Sequence, residues 1–180
     1  GGAERLYLFG HGENSIYLID KELRILQKEG VGEKATVVPI IGDLKDKSYL
    51  EWLLPKMHID VIFHCAAYKH VPLMEEHPCE AVHTNIGGTQ IVAEAAIRHD
   101  VEKFVMISTD KAVRPSNVMG ATKRLAEIYV QSLGTAIKEG VIPGKTSFIT
   151  TRFGNVLGSN GSVIPLFRKQ IEAGGPITVT

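Results

Sequence analysis

Five short apolar runs, each followed by a longer stretch at helical spacing, constrain this 180-residue chain more than any other feature. The runs lie at about 6–9 (LYLF), 36–41 (TVVPII), 61–65 (VIFHC), 103–108 (KFVMIS) and 146–151 (TSFITT). Helices are predicted at about 15–29, 46–55, 79–99, 119–138 and 162–173. Strands that alternate with helices build a parallel sheet with helices packed on it, because a parallel connection has to cross from one end of the sheet to the other. The runs VIFHCAA and FVMIST lack polar alternation, so these strands are expected to be covered on both faces. The fold class is therefore α/β, a Rossmann-like doubly wound parallel sheet, and residues 1–180 form a single domain. The length suits one substantial core. Along the 79–99 helix, Val82, Ile86, Thr89, Val92, Ala93 and Ala96 mark an apolar face. Gly87-Gly88 interrupts that face at a propensity cost of about 1–2 kcal/mol, and close approach to a backbone or ligand is the expected motive.

Charge and cysteine content narrow the function classes. Twenty basic residues balance twenty acidic ones, so no net field draws the chain to nucleic acid or anionic lipid. Cys65 and Cys79 lack metal-ligand spacing and read as reduced, partly buried thiols, which favours a cytoplasmic setting. No metal site is indicated. No apolar run approaches the roughly 18 residues of a membrane span, so any membrane attachment belongs to segments outside this chain.

Dinucleotide-binding sheets open with a strand, a glycine-rich turn and a helix whose N-terminus receives the pyrophosphate. The turn FGHGENS at 9–15 has only Gly10 and Gly12, without a third glycine in step. The first strand here is accordingly read as part of a second βα unit, with the phosphate loop upstream. In that register His11 or Glu13 faces an adenosine ribose, while Asn14 or Ser15 caps the helix. IIGDL at 40–44 ends the next strand, and Asp43 with Leu44 is placed at the adenine; helix capping is the competing role for Asp43. Ala66 and Ala67 follow the third strand, where backbone must approach a flat cofactor.

Three longer motifs are more specific. AAYKHVPLMEEHPCEAVHTNIGGTQ, ISTDKAVRPSNVMGATKRLAE and RFGNVLGSNGSVIPLFRKQIEAGGPITVT resemble the sugar-nucleotide 4,6-dehydratases of bacterial polysaccharide biosynthesis. The nearest pattern is that of the UDP-N-acetylglucosamine 4,6-dehydratases, within the extended short-chain dehydrogenase/reductases, and it runs from about residue 5 to residue 180. The resemblance implies an NAD or NADP cofactor and a UDP-sugar substrate. It also implies internal redox: hydride leaves sugar C4, the C5 proton and C6 hydroxyl are lost, and hydride returns to C6. Such a reaction needs a base for the 4-hydroxyl, a base for C5 and an acid for the departing oxygen.

By the same resemblance Thr109 orients the substrate, Asp110 protonates the leaving oxygen and Lys111 removes the C5 proton. These roles call for an Asp shifted up and a Lys shifted down by burial, although their adjacency favours a simple ion pair. Lys123 corresponds to the lysine that binds the nicotinamide ribose. Met119 stands where the superfamily carries a tyrosine; a thioether moves no protons. The first deprotonation therefore passes to Asp110, Lys123 or a water, with Asp110 preferred. Lys69 falls near the cofactor, and His70, Asn155 and Ser159 near the substrate. Arg152 and Arg168 are either phosphate partners or surface cations. A 4-epimerase on the same scaffold and a non-catalytic module for binding or oligomerisation are the alternatives. With its phosphate loop absent the isolated chain is expected to be inactive, and a sheet lacking its middle strand is expected to self-associate into homo-oligomers.

Overall fold

The computed structural model describes residues 2–154, 156 and 163–177. Asn155 and Ser159, two of the predicted substrate contacts, lie outside the described residues.

All strand pairing is parallel, but it falls into two sheets. Strands β1 (Arg5–Gly10) and β2 (Thr36–Ile41) form one pair, and β3 (Val61–His64), β4 (Lys103–Thr109) and β5 (Ser147–Phe153) form a three-stranded sheet in the order β3-β4-β5. Among the described residues β1 and β3 share no ladder; a cleft of about 290 Å³ lies between them, lined by Leu6, Phe9, Ile62, Phe63 and Val92 among others. The alternating α/β reading holds, and so does the expectation of a sheet without its middle.

Helices α1 (Glu13–Lys28), α2 (Lys47–Met57), α3 (Val71–Glu76), α4 (Pro78–Ala81), α5 (Thr89–Arg98), α6 (Val118–Lys138) and α7 (Val163–Glu172) connect or follow the strands. The core sits where α5 and α6 cover one face of β4. Phe104 and Met106 are fully buried against Val92, Ala93, Ala96, Ala126 and Val130. Phe104 packs on His64 and Phe148 at ring distances of 5.5 and 5.3 Å, tying the three strands together on that face.

The opposite face departs from expectation. Val61 is 38% and Phe63 67% exposed, so β3 is covered on one side only. Apolar residues on both faces of a strand call for cover on both, and here it is supplied on the α5–α6 side alone.

The predicted 79–99 helix is also more complex. Residues Val82–Gly88 form a π segment between α4 and α5. Its wider turn shifts the helical phase, which leaves Val82 44% exposed although regular spacing puts it on the apolar face. The glycine pair has a defined cause at Gly88: a Cβ there would lie 1.8 Å from Leu44 Cδ1. The close approach at Gly88 is to a side chain rather than to backbone.

Candidate active site at the carboxyl ends of the strands

The β4 strand ends in Ser108 and Thr109 and turns directly into a short 3-10 segment, Asp110–Ala112. The Thr109 hydroxyl donates to Asp110 Oδ1 at 2.9 Å and accepts from the Lys111 amide at 3.4 Å. Lys111 Nζ lies 3.3 Å from the same carboxylate oxygen. Hydroxyl, carboxylate and ammonium thus form one chain of contacts at the tip of a central strand. The Asp110 side chain is 56% exposed, and the Thr109 hydroxyl, followed by Lys111, holds it below the usual carboxylate range. The slight burial of Asp110 raises it less than the Thr109 and Lys111 contacts lower it, so the upward shift expected for an acid is not found.

Behind this turn begins α6, capped by Asn117, whose Oδ1 accepts from the Gly120 amide at 2.7 Å. Its first turn also receives Glu75 of α3, which accepts from the Val118 amide. Met119 is 3% exposed in a small core with Met74 and Ala81. It is a packing residue, with no route to act on a proton. One turn later Lys123 is buried, and its Nζ donates to the Ile107 carbonyl at 2.7 Å. Burial pushes Lys123 down to about 8, against the opposing pull of Glu127. Thr109, Asp110 and Lys111 are thus in contact at the carboxyl end of β4, and Lys123 anchors on the same strand two residues earlier, at Ile107.

The residues assigned to the cofactor divide. His11, Ala66, Gly10 and Gly42 line the β1–β3 cleft. A Cβ at Gly42 would meet the rings of Tyr49 and Phe9 at 2.6 and 2.7 Å, and one at Gly10 the Ile16 side chain at 3.2 Å, so both glycines make room for neighbouring side chains. His11 and Ala66 are the predicted adenosine-side residues that this cleft brings together. Glu13 opens α1, whose N-cap is Gly12 with no side-chain hydrogen bond; Asn14 and Ser15 do not cap it. Asp43 accepts from the Lys45 amide at 2.9 Å, while the helix cap is made by Asp46, which accepts from Tyr49. Leu44 is 8% exposed and packs in the core while lining the inner wall of the same cleft. Ala67 is half-buried, whereas Lys69 and His70 are exposed on the loop before α3. Both cysteines are free and exposed rather than partly buried, although the cleft desolvates Cys65 enough to push its thiol up.

Two residues that the sequence reading passed over organise the site. Asn85, fully buried in the π segment, accepts from the Tyr68 amide at 2.8 Å and donates to the Tyr68 carbonyl and to Thr122 Oγ1 at 3.1 and 3.0 Å. It binds the loop after β3 to α6. Glu127, with no side-chain surface exposed, receives a fork from Arg152 at 2.9 and 2.6 Å and a bond from Arg124 at 3.1 Å. Arg152 is thus engaged by protein and is neither a free surface cation nor an open phosphate partner. The signal for both residues was a polar side chain in an apolar helical phase, which requires a partner.

The profile of the polysaccharide biosynthesis protein family matches residues 2–180. The chain belongs to that family. It is 53% identical over 177 residues to the capsular polysaccharide biosynthesis protein CapD of Staphylococcus aureus, covering 98% of this chain and 28% of CapD. A protein of Rickettsia massiliae named UDP-glucose 4-epimerase is 44% identical over 141 residues, 78% of this chain and 39% of the relative. The X-ray structure of Pen from Bacillus thuringiensis superposes with a TM-score of 0.83 at 39% identity, over 98% of this chain and 50% of that one. The chain therefore spans about half or less of the length of the proteins it matches. Among its described residues no helix is long and apolar enough to cross a membrane.

Proposed function

We propose that the whole protein is an NAD- or NADP-dependent sugar-nucleotide 4,6-dehydratase, acting on a UDP-N-acetylhexosamine in the synthesis of a capsular or other cell-surface polysaccharide. The observation that carries this reading is the Thr109–Asp110–Lys111 contact chain at the strand end that also receives Lys123, with Met119 withdrawn into the core. A nicotinamide cofactor would accept hydride from sugar C4 and return it to C6. Its adenosine half would lie on the His11 and Ala66 side of the cleft, and its nicotinamide ribose against Lys123.

Asp110, held ionised, takes the proton of the 4-hydroxyl as hydride departs, and Thr109 orients that hydroxyl. The Lys123 ammonium favours the developing negative oxygen. The C4 ketone then acidifies C5, whose proton passes to Lys111 acting as the neutral amine, its own proton having been released before this step. Asp110, now carrying the first proton, gives it to the C6 oxygen as water leaves. As hydride would reach C6, Lys111 returns its proton to C5; one carboxyl group thus serves as base and then acid, and the protons balance without a phenol.

The 44% identity to a protein named a 4-epimerase favours a second reading on the same scaffold. Epimerisation needs the 4-hydroxyl base and hydride transfer, but no C6 elimination. Incubating the whole protein with UDP-N-acetylglucosamine decides between them. A 4-keto-6-deoxy product supports dehydration; a 4-epimer alone overturns it. Asp110→Asn and Lys111→Met should abolish dehydration, and Lys111→Met should also stop exchange of the C5 proton with solvent.

A further inference from the structure

Lys123 and β5 are linked by a side chain that the proton transfers above do not use. Glu127 lies one helical turn beyond Lys123, on the same face of α6. It is fully buried, yet its arginine partners are each more than one-third exposed, so the ion pair lies just beneath the surface. Burial alone would raise the Glu127 carboxyl. The Arg152 fork, helped by Ser108 and Arg124, overrides burial and holds it at about 2. Ser108 lies close enough to contribute, although its hydroxyl makes no hydrogen bond of good geometry. Arg152 stands two residues before Gly154, where a Cβ would sit 3.9 Å from Asp110 Oδ2. The Glu127–Arg152 fork therefore joins α6, below Lys123, to the strand end that borders the Asp110 turn.

We propose that Glu127 is a positioning residue which locks α6 to the carboxyl end of β5 and keeps the Lys123 side chain an ammonium seated on the Ile107 carbonyl. The significance of this for catalysis rests on the dehydratase reading; the link between the two side chains does not. Several titratable groups surround Lys123. From β3 come Cys65, whose thiol is pushed up, and His64, pushed down to about 3, both neutral near pH 7. From β5 comes Arg152, held on Glu127, and from its own helix Arg124 and Glu127. Asp110 and Lys111 pair with each other at the exposed turn. Of these, Glu127 supplies the leading electrostatic pull that favours the ammonium against burial.

The experiment is direct NMR titration of the Lys123 Nζ and Cε signals in this chain. In wild type the midpoint is expected at about 8. Glu127→Gln should lower it by about one unit, the size of effect expected of a nearby opposite charge. Glu127→Asp, which retains the charge, should recover most of the loss. If Glu127→Gln leaves Arg152 uncompensated and fails to fold, the neutral pair Glu127→Gln with Arg152→Gln keeps a hydrogen bond and should show a smaller fall in the same direction, because a cation is removed with the anion. A Lys123 midpoint that stays in place in either folded variant overturns the proposal. In the whole protein the alkaline limb of kcat should move down with the Lys123 midpoint. If the NMR midpoint moves but the whole protein neither dehydrates nor epimerises a nucleotide sugar, the role of Glu127 stands and the functional reading fails.

Discussion

A Cβ added to Gly120 would stand 2.5 Å from the backbone oxygen of Lys111. The first turn of α6 is thereby pressed directly on the turn that carries Asp110 and Lys111, with no side chain between them. A contact that short against backbone cannot be relieved by rotating a side chain. Gly120→Ala should therefore displace the turn, at a stability cost of about 1–3 kcal/mol for overpacking. Because misplacing a reacting group by about 1 Å costs on the order of 100-fold in rate, kcat of the whole protein should fall by that order with KM much less affected. Urea denaturation of this chain and steady-state kinetics of the whole protein measure the two effects.

His64 sits in the same core and makes an acid-sensitive point. Its Nε2 is 2.8 Å from Thr89 Oγ1, and burial, with Lys123 nearby, pushes it down to about 3. The native state stays neutral there while the unfolded chain gains a proton below about pH 6.5. The stability contributed is thus fully present above about pH 6.5 and is lost as pH falls toward 3. His64→Gln removes this dependence. Wild type should lose about 3 kcal/mol more than the variant between pH 6.5 and pH 4, read by urea denaturation across that range. Parallel curves would show that His64 is not held neutral.

The five described strands and the longer helices were legible because their causes are local: apolar runs of strand length, helical spacing, and the glycines and prolines between. The six-residue helix α3 was too short to show a period. The TDK turn and Lys123 were legible because a strand end and the following helix hold them in fixed sequence relation. The π segment was not, since Val82 and Ile86 fit a regular helix and only Asn85, a polar residue in the apolar phase, marks the departure. The helix caps were misassigned by a residue or more, Asp46 taking the role offered to Asp43, because several polar side chains competed for the same amides. The Glu127–Arg152 pair joins residues 25 apart in sequence and needed the packed structure to appear. The exposure of Asp110 follows from the surface at its strand end, which no local pattern encodes.

Met119 offers a test of where the proton work is done. It is buried with Met74 and Ala81, and Tyr68 and Val71 pack around the same group. Restoring the superfamily's phenol there should not restore a base. Met119→Tyr brings a larger ring and an unpartnered hydroxyl into the cluster, and should cost about 1–3 kcal/mol without raising kcat. Met119→Leu, which conserves volume, should cost less than about 1.5 kcal/mol and leave kcat near wild type. A Tyr variant faster than wild type would place the missing base at position 119 and remove Asp110 from the first step.

The open edges of β1 and β3 carry the last expectation. Both strands are parallel to their own neighbours and unpaired toward each other across the cleft, and Phe63 projects there at 67% exposure. Unpaired backbone donors and acceptors flanked by apolar side chains recruit another strand, and a second copy of the chain is the strand source always present at high concentration. In light scattering this 19.7 kDa chain is therefore expected at multiples of its monomer mass, increasingly so with concentration. Phe63→Lys puts a charge on the β3 side of the cleft without touching the α5–α6 core, and should move the population to monomer with little change in helix signal. A wild-type chain that stays monomeric at 100-fold differing concentrations (from about 1 to 100 μM, the range in which exposed edges associate) would mean that the cleft closes on itself, with β1 and β3 meeting in one sheet in solution.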